Sequence, residues 1–190
     1  MENVYFYNSH REKLAGIIHK PAKLPAPAVI ISHGFGSSMA NKAEWAETLQ
    51  KAGFLVFRFD FSGHGESEGD IAETTVTKVT SDLRCAINFV SGSDATRIGL
   101  TGHSMGGLAS LLAAGEAGAV AAIAPPSNFP EVYEHRRKAS LINLDEWKKK
   151  GYTSLFGIRV NYSLYSDAVR YDQQTVAKSV KCPVLIVHGD

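Results

Sequence analysis

Along the chain, short apolar runs alternate with longer segments in which apolar residues recur every three or four positions. This alternation of periods is the signature of βαβ units. The runs at 28–32 (AVIIS), 54–59 (FLVFRF), 98–101, 120–124 and 184–187 (VLIV) are nearly continuous in apolar residues. Strands that read this way are covered on both faces by helices, so a mostly parallel, doubly wound sheet is expected. Two earlier runs, 4–7 and 14–20, are short and close together, which suits an antiparallel hairpin at the N-terminal end. Between the strands, Val76, Val79, Leu83, Ile87 and Val90 share one helical face and predict a helix from about Thr75 to near Gly92. A second helix is expected over 42–52, stopped by Gly53, and a third opens at Ser104 and carries Leu108, Leu111 and Leu112.

The stretch after the run at 120–124 is far longer than an ordinary connection, and long insertions are usually functional. Asn143 with Glu146 three residues on reads as a capping box, and Gly151 follows three lysines that suit a helix C-terminus. A further helix is expected near 173–180. Residues 125–182 are therefore read as a helical lid inserted within a single α/β domain, 1–190. It carries the aromatics Phe129, Tyr133, Trp147, Tyr152, Phe156, Tyr162 and Tyr165 among others. They would serve either as an apolar acyl pocket or as the lid's own small core.

Candidate chemistry gathers at three strand-to-helix junctions, where open parallel sheets bind ligands. Gly102-His103-Ser104-Met105-Gly106 is a G-x-S-x-G between a strand and a helix, the setting of a nucleophile elbow. Ser104 is the candidate nucleophile, and the amide of Met105, at the helix N-terminus, is a candidate oxyanion donor. His33-Gly34-Phe35-Gly36 ends the run at 28–32, and the amide of Phe35 would be the second donor. The third junction, 58–67 (RFDFSGHGES), reads as a brace: Asp60, Gly63, Gly65 and Ser67 would hold a compact turn beneath the site.

Charge and cysteine content narrow the classes further. Twenty basic against nineteen acidic residues give a net charge of +1, with no polybasic run for nucleic acid or anionic lipid. No apolar stretch approaches membrane-spanning length and no signal peptide is legible, so a cytoplasmic location is expected. Cys85 and Cys182 have neither metal-site nor redox spacing and are expected as reduced, buried thiols. No G-K-[ST] or G-x-G-x-x-G occurs, which sets nucleotide binding aside. No metal or organic cofactor is expected. A homodimer is compatible with the sequence but not required by it.

Four ordered motifs, H-G-F, D-x-x-G-x-G-x-S, G-x-S-x-G and P-V-L-I-V-H-G, make the chain resemble the serine α/β-hydrolase family over essentially its whole length. Within that family, H-G-F, R-F-D-F-x-G-H-G-E-S and the length of the insertion are similar to bacterial cinnamoyl and feruloyl esterases. The resemblance implies an ester-cleaving enzyme acting on a small-molecule substrate. A serine aminopeptidase or acylpeptide-hydrolase-like enzyme is the rival activity, and a non-catalytic binding protein the rival class. It further implies the order serine, acid, histidine, with the acid in an H-G-x-x-D turn. His188-Gly189-Asp190 reaches only the start of that turn. The acid and the histidine, like the family's final strand and helix, are thus expected after Asp190, and the segment 1–190 alone is expected to be inactive. Asp190 would act as the acid only in a shifted turn. None of His10, His19, His33, His64, His103, His135 and His188 is expected to serve as the base.

Overall fold

The computed structural model describes residues 1–126, 129–138, 142–171, 176–178 and 180–189. Strand β1 (Glu2–Tyr7) pairs antiparallel with β2 (Lys13–His19), the expected hairpin, and β2 pairs antiparallel with β4 (Leu55–Phe59). From there the sheet is parallel: β3 (Ala26–Ser32) lies between β4 and β5 (Ala95–His103), followed by β6 (Ala119–Ile123) and β9 (Val184–Val187). The order is β1-β2-β4-β3-β5-β6-β9.

Period-two alternation sorts the strand residues between two faces. Ile30, Phe57 and Leu100 point to one face, where helices α2 (Val76–Ser91) and α3 (Met105–Leu112) cover them. Ile31 and Val56 point to the other, against Ala46 of α1 (Ala43–Lys51). All five residues of β4 are buried, as a strand covered on both faces requires. The stripe of α2 faces the sheet as its spacing predicts, with Val76, Val79, Leu83, Ile87 and Val90 buried. Thr75 caps the helix by accepting from the Lys78 amide. Gly53, with φ of 96°, ends α1, where the Phe54 amide reaches back to the Leu49 carbonyl.

The segment joining β6 to β9 is not wholly helical. It contains α4 (Phe129–Lys138), α5 (Leu144–Lys150) and α6 (Ser163–Ala168), and also an antiparallel hairpin of β7 (Tyr152–Leu155) and β8 (Ile158–Asn161). Asn143 caps α5 through the Glu146 amide as expected, while the Glu146 carboxylate turns to Lys150 at 2.5 Å rather than closing the box. The hairpin escapes sequence reading because of its turn. Phe156 and Gly157 have φ of 54° and 81°, the conformation that Asn-Gly normally signals, and here a phenylalanine holds the first position. Of the helix expected near 173–180, residues 176–178 are helical and 172–175 and 179 lie outside the described residues.

One strand departs from its reading. The VLIV run pairs with β6 as expected, but its four residues are 39 to 60% exposed, because it ends the sheet and no described element covers its faces.

Leu83 is fully buried at the centre of the α2–sheet contact. Leu83→Ala removes that packing and leaves a cavity, for an expected loss of about 2–5 kcal/mol in urea unfolding.

Candidate active site

Ser104 stands between the last residue of β5 and the first of α3, with φ of 53° and ψ of −121°. A serine rarely adopts a positive φ, since its β-carbon crowds the backbone. Two bonds hold it there: its amide donates to the Ile123 carbonyl at 2.8 Å, extending the β5–β6 ladder, and its carbonyl accepts from Leu108 at 3.0 Å, starting the helix. Because of this backbone conformation the Ser104 hydroxyl makes no capping bond to α3 and instead lines a cavity.

The two glycines of the motif are explained by close packing. A β-carbon on Gly102 would lie 2.4 Å from the Gly106 backbone, and one on Gly106 would lie 2.5 Å from the His33 carbonyl oxygen. The first turn of α3 therefore sits directly on the ends of β5 and β3. Gly34, in the neighbouring loop, is close enough that a β-carbon there would approach Ser104 Cβ to 3.3 Å. The loop carrying Phe35 thus runs beside Ser104. Neither the Phe35 nor the Met105 amide donates within the described residues, and both residues line the cavity with Ser104.

That cavity, about 130 Å3, is roofed by the insertion. Of the seven aromatics singled out in the sequence, Phe129, Tyr133 and Phe156 line it. Trp147, Tyr162 and Tyr165 pack on one another and on Tyr133 as the insertion's own core, and Tyr152 lies under Arg159, 4.2 Å from its guanidinium carbon. No charged side chain lines the cavity among the described residues.

Beneath the site the loop after β4 forms a hydrogen-bonded brace. The Asp60 carboxylate accepts from the Met39 amide at 2.6 Å and the Glu66 amide at 2.9 Å, and Ser67 Oγ donates to the Asp60 carbonyl. A β-carbon on Gly65 would strike the Asp60 carboxylate at 2.0 Å, and one on Gly63 the Ile71 amide at 2.4 Å. Burial pushes the Asp60 carboxyl above the usual carboxylate range, against these hydrogen bonds.

No histidine hydrogen-bonds to Ser104 Oγ among the described residues. His33 is fully buried; its Nδ1 donates to the Gly34 carbonyl at 2.8 Å and its Nε2 accepts from the Phe61 amide at 3.1 Å. Burial drives its pKa from the ordinary 6.5 to about 3, so the ring is neutral. His64 donates from Nδ1 to the Ser62 carbonyl and is also held below its ordinary value by burial. His19 accepts from Arg58 Nε, and His10, His103 and His188 are exposed. The side chain of His135, and Asp190, lie outside the described residues. Cys85 and Cys182 are free thiols, both half-buried. Among the described residues no three His, Cys, Asp or Glu side chains converge to hold a metal, and no helix is long and apolar enough to cross a membrane.

Residues 23–128 match the family model described as serine aminopeptidase, S33. Among curated proteins, a monoglyceride lipase of Rattus norvegicus is 37% identical over 99 residues, covering 51% of this chain and 33% of that protein. The mitochondrial palmitoyl-protein thioesterase ABHD10 of the same species is 28% identical over 197 residues, covering 94% and 63%. The chain thus spans between one third and two thirds of these relatives' length. Among solved structures, Est1E from Butyrivibrio proteoclasticus with ferulic acid bound superimposes with a TM-score of 0.79 at 23% identity, over 98% of this chain and 78% of that one. The fold is that of the α/β hydrolases.

The buried histidines tie stability to pH. His33 is neutral when folded, whereas the unfolded chain takes up a proton near pH 6.5; its contribution is complete above that pH and is lost as pH falls toward about 3. His64 acts in the same direction. The buried carboxyls of Asp60 and Asp82, raised by burial, act in the opposite sense, so the histidine contribution is read from the difference: the unfolding free energy of His33→Asn should fall less steeply on acidification than that of wild type, by at most about 1.4 kcal/mol per pH unit.

Proposed function

The chain belongs to the serine aminopeptidase S33 family, and on that footing we propose that it is a serine hydrolase cleaving carboxylic esters or thioesters through an acyl-enzyme on Ser104. The observation that carries this reading is the backbone of Ser104: a non-glycine residue held at positive φ, its hydroxyl directed to a cavity instead of capping the helix that follows. Strain of this kind persists where surrounding structure imposes it for a purpose.

In the proposed reaction a histidine base takes the Ser104 proton, and Oγ bonds to the acyl carbon. The carbonyl electron pair moves to oxygen, where the amides of Phe35 and Met105 and the N-terminal dipole of α3 stabilise it. Collapse expels the alcohol or thiol, which receives the proton from the base. Water then repeats the sequence and releases the acid. The triad's acid and histidine are assigned to no described residue. The organic chemistry needs only side chains and backbone, and residues 125–182 act as the lid that excludes water from the cavity.

For substrate, esters of a ring-bearing acid of the cinnamoyl or feruloyl type fit best. The cavity is small and flanked by Phe35, Phe129, Tyr133 and Phe156, a lining suited to a planar aromatic group. The Est1E structure that shares the fold has ferulic acid bound. An aminopeptidase would need an anionic group for the substrate's ammonium, and no charged side chain lines this cavity among the described residues.

In the full-length protein, Ser104→Ala should lower kcat/KM for p-nitrophenyl butyrate by at least about a thousandfold. Methyl ferulate should be turned over with higher kcat/KM than a long-chain monoacylglycerol, a palmitoyl thioester or an aminoacyl anilide. A preference for the anilide would place the enzyme with the peptidases, and a preference for the long chain would overturn the aromatic-acid reading.

A further inference from the structure

The amide of Phe35 can serve as an oxyanion donor only if its peptide plane holds one orientation, and the structure contains a device that sets it. The Gly34 carbonyl and the Phe35 N–H are opposite ends of one planar trans peptide, so fixing the carbonyl fixes the direction of the N–H. Two donors fix that carbonyl: His33 Nδ1 at 2.8 Å and the Ser37 amide at 3.1 Å. The second closes a four-residue turn, Gly34 to Ser37, with Gly36 at φ of 69° in its third position, where such turns require a left-handed residue.

His33 can donate from Nδ1 only in one tautomer, and the brace selects it. The Phe61 amide donates to His33 Nε2 at 3.1 Å, which leaves Nε2 as an acceptor and puts the proton on Nδ1. The Asp60 carboxylate, 3.6 Å from Nε2, is too distant to reverse this and is engaged by the Met39 and Glu66 amides. The ring is locked sterically as well: Phe61 meets it edge-on at 4.9 Å, and His64 lies at 5.2 Å, itself edge-on to Phe35 at 5.7 Å. A continuous path therefore runs from the backbone of the third junction through one imidazole to the peptide that presents Phe35 N–H beside Ser104.

We propose that His33 is a positioning residue for catalysis: through its Nδ1–H bond to the Gly34 carbonyl it holds the Phe35 amide toward the oxyanion, without touching substrate. This rests on the Ser104 hydrolase reading. Because an oxyanion is present only in the transition state and the tetrahedral intermediate, disturbing the device should lower kcat and leave KM nearly unchanged.

Two substitutions separate positioning from mere support. Asparagine places an amide donor near Nδ1 and keeps the bond to Gly34 while losing the acceptor for Phe61. Glutamine reaches the Phe61 amide but leaves the Gly34 carbonyl without its side-chain donor. In the full-length protein, with p-nitrophenyl butyrate as substrate, His33→Gln should lose about 10- to 100-fold in kcat, part of what removal of a whole oxyanion donor typically costs. His33→Asn should retain kcat within about tenfold of wild type, and KM should stay within about threefold in both. A Gln variant with wild-type kcat, or equal kcat losses in both variants that track their thermal midpoints, would overturn the proposal.

If the Gln variant does not fold, the wild-type protein supplies the test by nitrogen-15 NMR. The His33 ring should show Nδ1 protonated and Nε2 bare from about pH 5 to about pH 9. The Phe35 amide proton should move downfield when phenylboronic acid forms its tetrahedral adduct on Ser104. An Nε2–H tautomer, or a Phe35 amide indifferent to the adduct, overturns the assignment. Wild-type protein that neither hydrolyses the ester nor reacts at Ser104 with a fluorophosphonate would instead sink the hydrolase reading, and this proposal with it.

Discussion

The first turn of α3 lies so close to the ends of β3 and β5 that there is no room for a single methyl group at Gly106 or Gly102. Most features of the site follow from that contact. With the helix pressed onto the strands, the chain has one residue in which to reverse from strand to helix, and that residue is Ser104 at φ of 53°. The cost of a non-glycine residue there, on the order of 1–3 kcal/mol, is met by the ladder bond to Ile123 and by burial of Met105 and Leu108 against the sheet. The same approach aligns the free amides at the helix N-terminus beside the serine hydroxyl, where a developing negative charge is best stabilised.

Around this contact the protein buries several polar groups: His33, Asp60, Ser62, His64 and Asp82 all lie within the fold. Unpaired, each would cost roughly 1–3 kcal/mol; His33, Asp60 and Asp82 are fully engaged, while His64 bonds through Nδ1 and its Nε2 has no partner among the described residues. Asp82 of α2 accepts from Asn8 Nδ2 and the Ser62 amide, tying the N-terminal hairpin, the helix and the brace together. Asp60 gathers Met39 and Glu66, and His33 links Phe61 to Gly34. Networks of this kind favour one arrangement over near alternatives, because a half-made network is worse than an apolar core. Rigidity beneath the site is what allows a loop as glycine-rich as His33-Gly34-Phe35-Gly36 to present a backbone amide in one direction.

The insertion has a different character. Its aromatic core is separate from that of the sheet, and it touches the site through a few residues: Pro126, Phe129, Tyr133, Leu155, Phe156 and Leu164. Phe156 occupies the strained hairpin turn while its side chain, 77% exposed, lies at the edge of the cavity. The tip of this hairpin rests on the loop that carries Phe35, where a β-carbon on Gly36 would meet Ile158 at 2.8 Å. The hairpin and the loop that carries Phe35 are therefore in direct contact.

How much of this is legible without coordinates depends on the range of the interaction concerned. Local patterning determined the strands of the main sheet, the buried face of α2, and the ends of α1 and α5, because each follows from neighbours within a few residues. The spacing G-x-S-x-G between a strand and a helix located Ser104, since the elbow is itself a local structure. The β7–β8 hairpin was hidden because Phe156 holds a turn position where sequence statistics look for Asn or Gly, and the surrounding insertion keeps it there. The seven aromatics singled out in the insertion look alike in sequence, and only packing divided them into cavity wall, separate core and exposed ring. Nor could spacing reveal that the glycines at 102 and 106 answer to helix–strand contact, or that His33 takes its tautomer from the Phe61 amide 28 residues away. Those are contacts between distant segments, and their geometry exists only once the sheet has brought three loops to one edge.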